Sequence, residues 1–154
     1  MSQILHTELE TVRIYSMSKR PNHMNLWANY ADGHKGYCLE FSNSGLFAAA
    51  REVSYGDVVD FDPTDEEQIK INLLFQKTLD WKTEEEVRLV LPRSSESRIQ
   101  FDPNLLTSII VGQHMPDAEI NVIQEWSNQR SPKLSIVRAE YDVFEHNLNF
   151  IPFP

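Results

Sequence analysis

Two helical stretches set among short strand-like runs constrain this chain most. Thr64 with Glu67 three residues later forms a capping box, and Asp65 and Glu66 suit the positive end of a helix dipole. Ile69, Leu73, Leu74 and Phe75 supply an apolar stripe, so a helix is predicted from Thr64 to near Asp80. A second helix starts at Pro116 and runs to about Asn128, with Asp117 and Glu119 in its first turn and Ala118, Val122 and Trp126 at four-residue spacing.

Around them lie segments too short for helices. VRIYSM (12–17) alternates in strand fashion, and NLWANYAD (25–32) reads as a short helix through Leu26, Trp27, Tyr30 and Ala31. The turn DGHKG (32–36) feeds a strand, YCLEF (37–41). GLFAAARE (45–52) reads as one or two helical turns, VSY (53–55) as a strand, and RSSES (93–97) as a polar turn before RIQF (98–101). LLTSIIVG (105–112) is a buried strand stopped by Gly112, and KLSIVRAEYDV (133–143) alternates as another. The tail NFIPFP reads as an edge strand, because Pro152 and Pro154 are tolerated only at an edge or beyond the ladder. Strands and helices interleaved without a βαβ rhythm predict an α+β fold: a mixed, mostly antiparallel sheet with helices packed on its faces.

A chain of 154 residues is about one domain, and 1–154 is expected as a single domain. Its 41% hydrophobic and 10% aromatic content lies outside the range of disordered chains. No run approaches the roughly 18 apolar residues of a membrane span, and Met1 to Glu10 lacks a secretory pattern, so a cytoplasmic protein without a membrane partner is expected. The single cysteine fits that compartment. Lys plus Arg number 14 against 23 Asp plus Glu, a net charge of −9, which disfavours a nucleic-acid duplex, favours solubility first and leaves a cationic partner open.

The stretch LDWKTEEEVRLVLP (79–92) holds the candidate site. Read as a strand, it places Val87, Leu89 and Leu91 with Glu85 on one face and Glu84, Glu86, Arg88 and Val90 on the other. That charged row is either the solvated side of a half-buried strand or the floor of a polar cleft. Two carboxylates one residue apart on a strand lie close enough to raise each other's pKa or to hold a ribose hydroxyl jointly.

WANYADGHKGYCLEF (27–41) and WKTEEEVR (81–88) resemble W-x-x-Y-A-x-x-H-x-G-x-C-L-E-F and W-x-x-E-x-E-x-R, two blocks of a widespread bacterial domain family of unknown function. LLTSIIVGQHMPDAEINVI (105–123) is similar to its third block. Family members usually carry a further segment ahead of the stretch matching VRIYSMS, so the resemblance implies either a short form or a chain whose first segment lies outside this sequence, and it implies no particular reaction. E-x-E on a strand, with YSMS (15–18) as an S-x-S strand, also resembles ADP-ribosyltransferases. That resemblance implies Glu86 as the catalytic carboxylate, Glu84 as its partner, Ser16 and Ser18 as supports, Tyr30 as a stacking surface and NAD as the cofactor. The separate early-strand arginine of such enzymes is not visible, since Arg13 lies too near Ser16.

Outside that row, His34 in its turn is either a general acid or base or a turn-stabilising hydrogen-bonder. Trp27 and Tyr30 are either a stacking wall or core. Cys38, inside an apolar strand, is expected as a small hydrophobe with a raised pKa. His6, His23, His34, His114 and His146 lack metal-ligand spacing, so no metal is expected, and five glycines form no phosphate loop. Two functions remain open. One is a module binding a small molecule or a protein partner in a cleft on which the His34 turn, the helix of Trp27 and Tyr30 and the charged strand converge, with Arg88, Ser16 and Ser18 lining it and no cofactor. The other is a remote ADP-ribosyltransferase-like enzyme acting on NAD. A homo-oligomer, with the tail crossing to a second subunit, also stays open.

Overall fold

A computed structural model describes residues 12–56, 64–92 and 98–153. In chain order its elements are β1 (Val12–Ser18), α1 (Met24–Tyr30), β2 (Tyr37–Phe41), β3 (Arg51–Glu52), β4 (Ser54–Tyr55), α2 (Glu66–Phe75), β5 (Gln76–Lys77), β6 (Glu86–Pro92), β7 (Leu106–Val111), α3 (Asp117–Asn128), β8 (Ser135–Asp142) and β9 (Asn147–Pro152). Short 3-10 helices span Gly45–Ala49, Leu79–Glu84 and Pro103–Leu105. The fold is α+β with mixed, mostly antiparallel sheets, as the interleaved pattern predicts. No helix among the described residues is long and apolar enough to cross a membrane. RSSES and Pro154 lie outside the described residues, and Arg98 to Phe101 form no strand.

Two compact units share the described residues. The first takes those up to Arg20 and from Ala48 to Gln100; the second takes Pro21–Phe47 and the residues from Phe101 onward.

In the first unit β6 is the middle strand of an antiparallel sheet ordered β1-β6-β3, with Ser16 opposite Arg88 and Ser18 opposite Glu86. Leu89 is buried at its centre. Helix α2 departs from expectation at both ends. Its cap is Asp65, one residue after Thr64, with the carboxylate accepting from the Gln68 N–H at 2.9 Å. The helix stops at Phe75 instead of continuing to Asp80, because Gln76 turns extended and β5 pairs in parallel with β4. The freed end is capped from the sheet side: the Ser54 hydroxyl donates to the Phe75 carbonyl at 3.1 Å and the Arg88 guanidinium to that of Leu74 at 2.6 Å. Of the expected stripe Phe75 is buried, while Leu73 is exposed.

The second unit is built on a sheet ordered β2-β7-β8-β9, parallel between β7 and β8 and antiparallel at both edges. Neighbouring residues of β7 point to opposite faces, and both faces are covered. Ile109 and Val111 pack with Ile120 of α3, and Ile110 packs with Trp27 of α1, Ala139 and Leu148. A strand buried on both sides explains why LLTSIIVG is almost continuously apolar. Strand β9 is an edge, where Pro152 costs no ladder bond.

Helix α3 has the expected span but turns another face inward. Ile120 and Ser127 are buried, with Ile123 packed beside them, whereas Val122 and Trp126 are exposed. The Ser127 hydroxyl accepts from the Leu134 N–H at 3.0 Å, so a polar position serves the core and an apolar one faces outward.

Candidate functional site

Period-two geometry holds only from Glu86 onward. Glu84 ends the 3-10 helix Leu79–Glu84, and Glu85 adopts a left-handed conformation with φ 44° and ψ 49°. That conformation is costly for a glutamate and is held from outside. The Lys19 N–H donates to the Glu85 carbonyl at 3.1 Å, and Arg20 pairs with the Glu85 carboxylate at 2.9 Å. Glu84 therefore reaches the row through the 3-10 helix, not through strand alternation, and Glu85 does not join the face of Val87.

The row is neither a solvated surface nor an open floor. Glu84 and Glu86 are 9% and 5% exposed. Arg88 donates through Nε to Glu86 Oε1 at 2.8 Å and through a terminal nitrogen to Oε2 at 3.2 Å, a bidentate pair. Lys77, which the apolar stripe predicts inside a helix, puts its ammonium 2.7 Å from Glu86 Oε2 and 2.6 Å from Glu84 Oε2. Two cations meet two carboxylates, so the cluster carries no net formal charge. The Ser18 hydroxyl donates to the Glu84 carbonyl at 2.8 Å, and the Glu86 N–H donates to the Tyr55 hydroxyl at 2.8 Å.

These contacts fix the protonation states. Burial pushes the Glu86 carboxyl up, but hydrogen bonds from Arg88, Lys77 and Ser16, with the Arg88 charge, outweigh it and hold the pKa at about 2. Burial pulls the Lys77 ammonium down, while Glu84 and Glu86 more than compensate and raise it. Near neutral pH Glu86 is thus a carboxylate with both oxygens engaged, and Lys77 is a cation rather than a free amine. The group binds helix α2, β5 and the 3-10 helix to the sheet. The Lys77 ammonium also lies 5.2 Å from the centre of the half-exposed Trp81 ring.

The second unit holds Trp27, Tyr30 and His34. Asp32, Gly33 and His34 all have positive φ, which brings the turn back under α1. Its main chain is held by bonds from the Gly33, His34 and Gly36 N–H groups to the Ala28, Trp27 and Ala31 carbonyls. The Gly112 loop docks on it, with the Gly112 N–H donating to the Gly36 carbonyl at 2.9 Å and the His114 N–H to the His34 carbonyl at 3.0 Å. This approach needs a residue without a side chain, since a Cβ on Gly112 would lie 2.7 Å from the His34 carbonyl carbon. The His34 ring stacks at 6.2 Å on buried Trp27, whose indole donates to the Pro21 carbonyl, and meets His114 edge-on at 5.9 Å. Burial lowers the His34 pKa, and the His114 charge lowers it further. Among the described residues, His34 Nδ1 is buried and finds no protein hydrogen-bond partner. Tyr30 points outward, 69% exposed.

Ser16, Ser18, Glu84, Glu86 and Arg88 are therefore assembled in one unit, and Trp27, Tyr30 and His34 lie in the other. Cys38 is half-buried, and burial followed by Glu40 raises its pKa, as its apolar strand predicts. Among the described residues no three His, Cys, Asp or Glu side chains gather as a metal-binding group. Lys77 and Tyr55 were missed by sequence reasoning. A signal for Lys77 existed: two carboxylates and one arginine leave a negative charge that burial does not tolerate without a second cation.

Comparisons of the chain with protein-family models, with curated proteins and with solved structures return no match.

Proposed function

We propose that this protein is a binding module whose recognition element is the His34 turn, presenting a neutral imidazole to a small polar ligand or to a polar group of a partner. The observation that carries this reading is His34 Nδ1, buried beside Trp27 and His114 and finding no hydrogen-bond partner among the described residues. Buried polar atoms are nearly always paired, so a buried nitrogen left unpaired by the described residues marks a position that a further polar group would complete. The lowered pKa keeps the ring neutral, so one of its nitrogens accepts. Rigidity comes from the Gly112 docking, which prepares the turn before any ligand arrives.

Imidazole-nitrogen NMR spectra recorded while a fragment library is titrated test this. Binding fragments should shift His34 and His114 together, and His34→Ala should remove the response. A library and a lysate pull-down that both leave the two rings unmoved would contradict it.

The second reading is an NAD-consuming enzyme of ADP-ribosyltransferase type. It is favoured by Ser16 and Ser18 lying opposite Arg88 and Glu86 in register. The engagement of both Glu86 oxygens by Arg88 and Lys77 weighs against it, because a transition-state carboxylate must face the ribose. Calorimetry with NAD separates the two: the binding reading expects no heat and no nicotinamide release. NAD turnover abolished by Glu86→Gln would reverse the preference.

A further inference from the structure

Helix α3 carries two apolar rows, and the fold uses one. Ile120 and Ile123 pack on the sheet. Ala118, Val122 and Trp126, four residues apart, stay within about 40° of one another per step and form a line on the opposite side. Val122 is 64% exposed and Trp126 47%. Glu119 and Glu125, each three residues from Val122, lie about 60° to either side of it, just outside the line, and are also exposed. An apolar ridge between two acidic margins is uncommon on a solvated helix face, where charged residues normally occupy the centre.

We propose that this face of α3 docks a basic amphipathic helix of a partner protein. Val122 and Trp126 supply anchors of the kind that helix-on-helix recognition uses, and Trp126 is the residue type that dominates binding energy. Lys or Arg along the margins of the incoming helix meets Glu119 and Glu125, and the chain's net charge of −9 steers a cationic segment toward it. Arg130, whose guanidinium lies 5.7 Å from the centre of the Trp126 ring, orders the indole. A second copy of the chain is a poorer occupant. Antiparallel pairing about Val122 would bring each Glu119 toward its own copy on one margin and each Glu125 toward its own copy on the other, a like-charge contact on both sides. An anionic membrane surface would meet the same two glutamates. This surface is distinct from the His34 turn, so its test succeeds or fails independently of that reading.

The test is fluorescence anisotropy of a labelled Leu/Lys peptide of about 18 residues, long enough for five helical turns, with leucines at helical spacing. A peptide of the same composition with the leucines scrambled serves as control. The whole chain should bind the amphipathic peptide at least tenfold more tightly than the scrambled one. Val122→Asp and Trp126→Ser should each weaken binding about tenfold, Val122→Asp without shifting the melting temperature because that side chain is exposed, and Glu119→Lys with Glu125→Lys should abolish it. Equal binding of both peptides, or unchanged binding by Val122→Asp, would overturn the proposal. Sedimentation showing a dimer that Val122→Asp dissolves would overturn it too, by assigning the face to a second copy.

Discussion

The Lys77 ammonium lies 2.7 Å from Glu86 Oε2, and the same nitrogen lies 2.6 Å from Glu84 Oε2. One cation thus separates two buried carboxylates that would otherwise repel each other. Lys77→Met should cost about 2 to 3 kcal/mol in urea unfolding, since it strands carboxylate charge away from water. Restoring charge balance with Glu84→Gln in the same chain should recover part of that loss, a coupling that a double-mutant cycle measures.

Acid should dismantle this cluster. The Glu86 pKa is lowered from 4.5 to about 2, so the folded state binds its proton less readily than the unfolded chain does. Its contribution is present above pH 4.5 and is lost as pH falls from there toward 2. The full shift corresponds to about 3 kcal/mol. Stability measured across that window should fall less steeply in Glu86→Gln than in the wild-type chain.

His34 gives a second, separate pH dependence. Its pKa is below the ordinary 6.5 through burial and then through His114, so the unfolded chain takes up a proton that the folded one refuses. Stability from this group declines as pH falls below 6.5 and levels off beneath the folded pKa. NMR titration should place His34 below 6.5, and His114→Ala should move it back toward that value.

Gly112 is the tightest steric test of the histidine turn. An alanine methyl there would press on the His34 carbonyl and come within 2.8 Å of the Gly36 carbonyl oxygen. Gly112→Ala should destabilise the chain by about 3 kcal/mol, since the contact atoms are backbone and do not swing aside. Chemical denaturation and the His34 and His114 imidazole signals should both register it.

The N-cap of α2 yields a smaller effect. Asp65→Ala removes the acceptor for the Gln68 N–H and should cost about 1 kcal/mol, read from the thermal midpoint.

Residue patterns reached far into this fold and stopped at identifiable places. The continuous apolar run of β7 and the proline-started α3 carry their own signals, because burial on two faces and a fixed φ at the start are local demands. The end of α2 is not local: Phe75 to Lys77 leave the helix because β4, Ser54 and Arg88 take over the backbone groups. Glu85 is equally opaque, its left-handed turn depending on Lys19 and Arg20 far back in the chain. On α3 the sequence offers two apolar rows, and periodicity cannot choose between Ile120 with Ile123 and Val122 with Trp126. Within the candidate site, E-x-E-x-R was visible as a cluster of charge; that Lys77 neutralises it depends on the helix ending early.

Glu86 is locked in a neutralised internal network instead of being poised for proton transfer. A carbon-detected NMR titration of the Glu86 side-chain carboxyl in the folded protein tests it most directly. The network predicts a pKa of about 2, and a value at or above the ordinary 4.5 would contradict it.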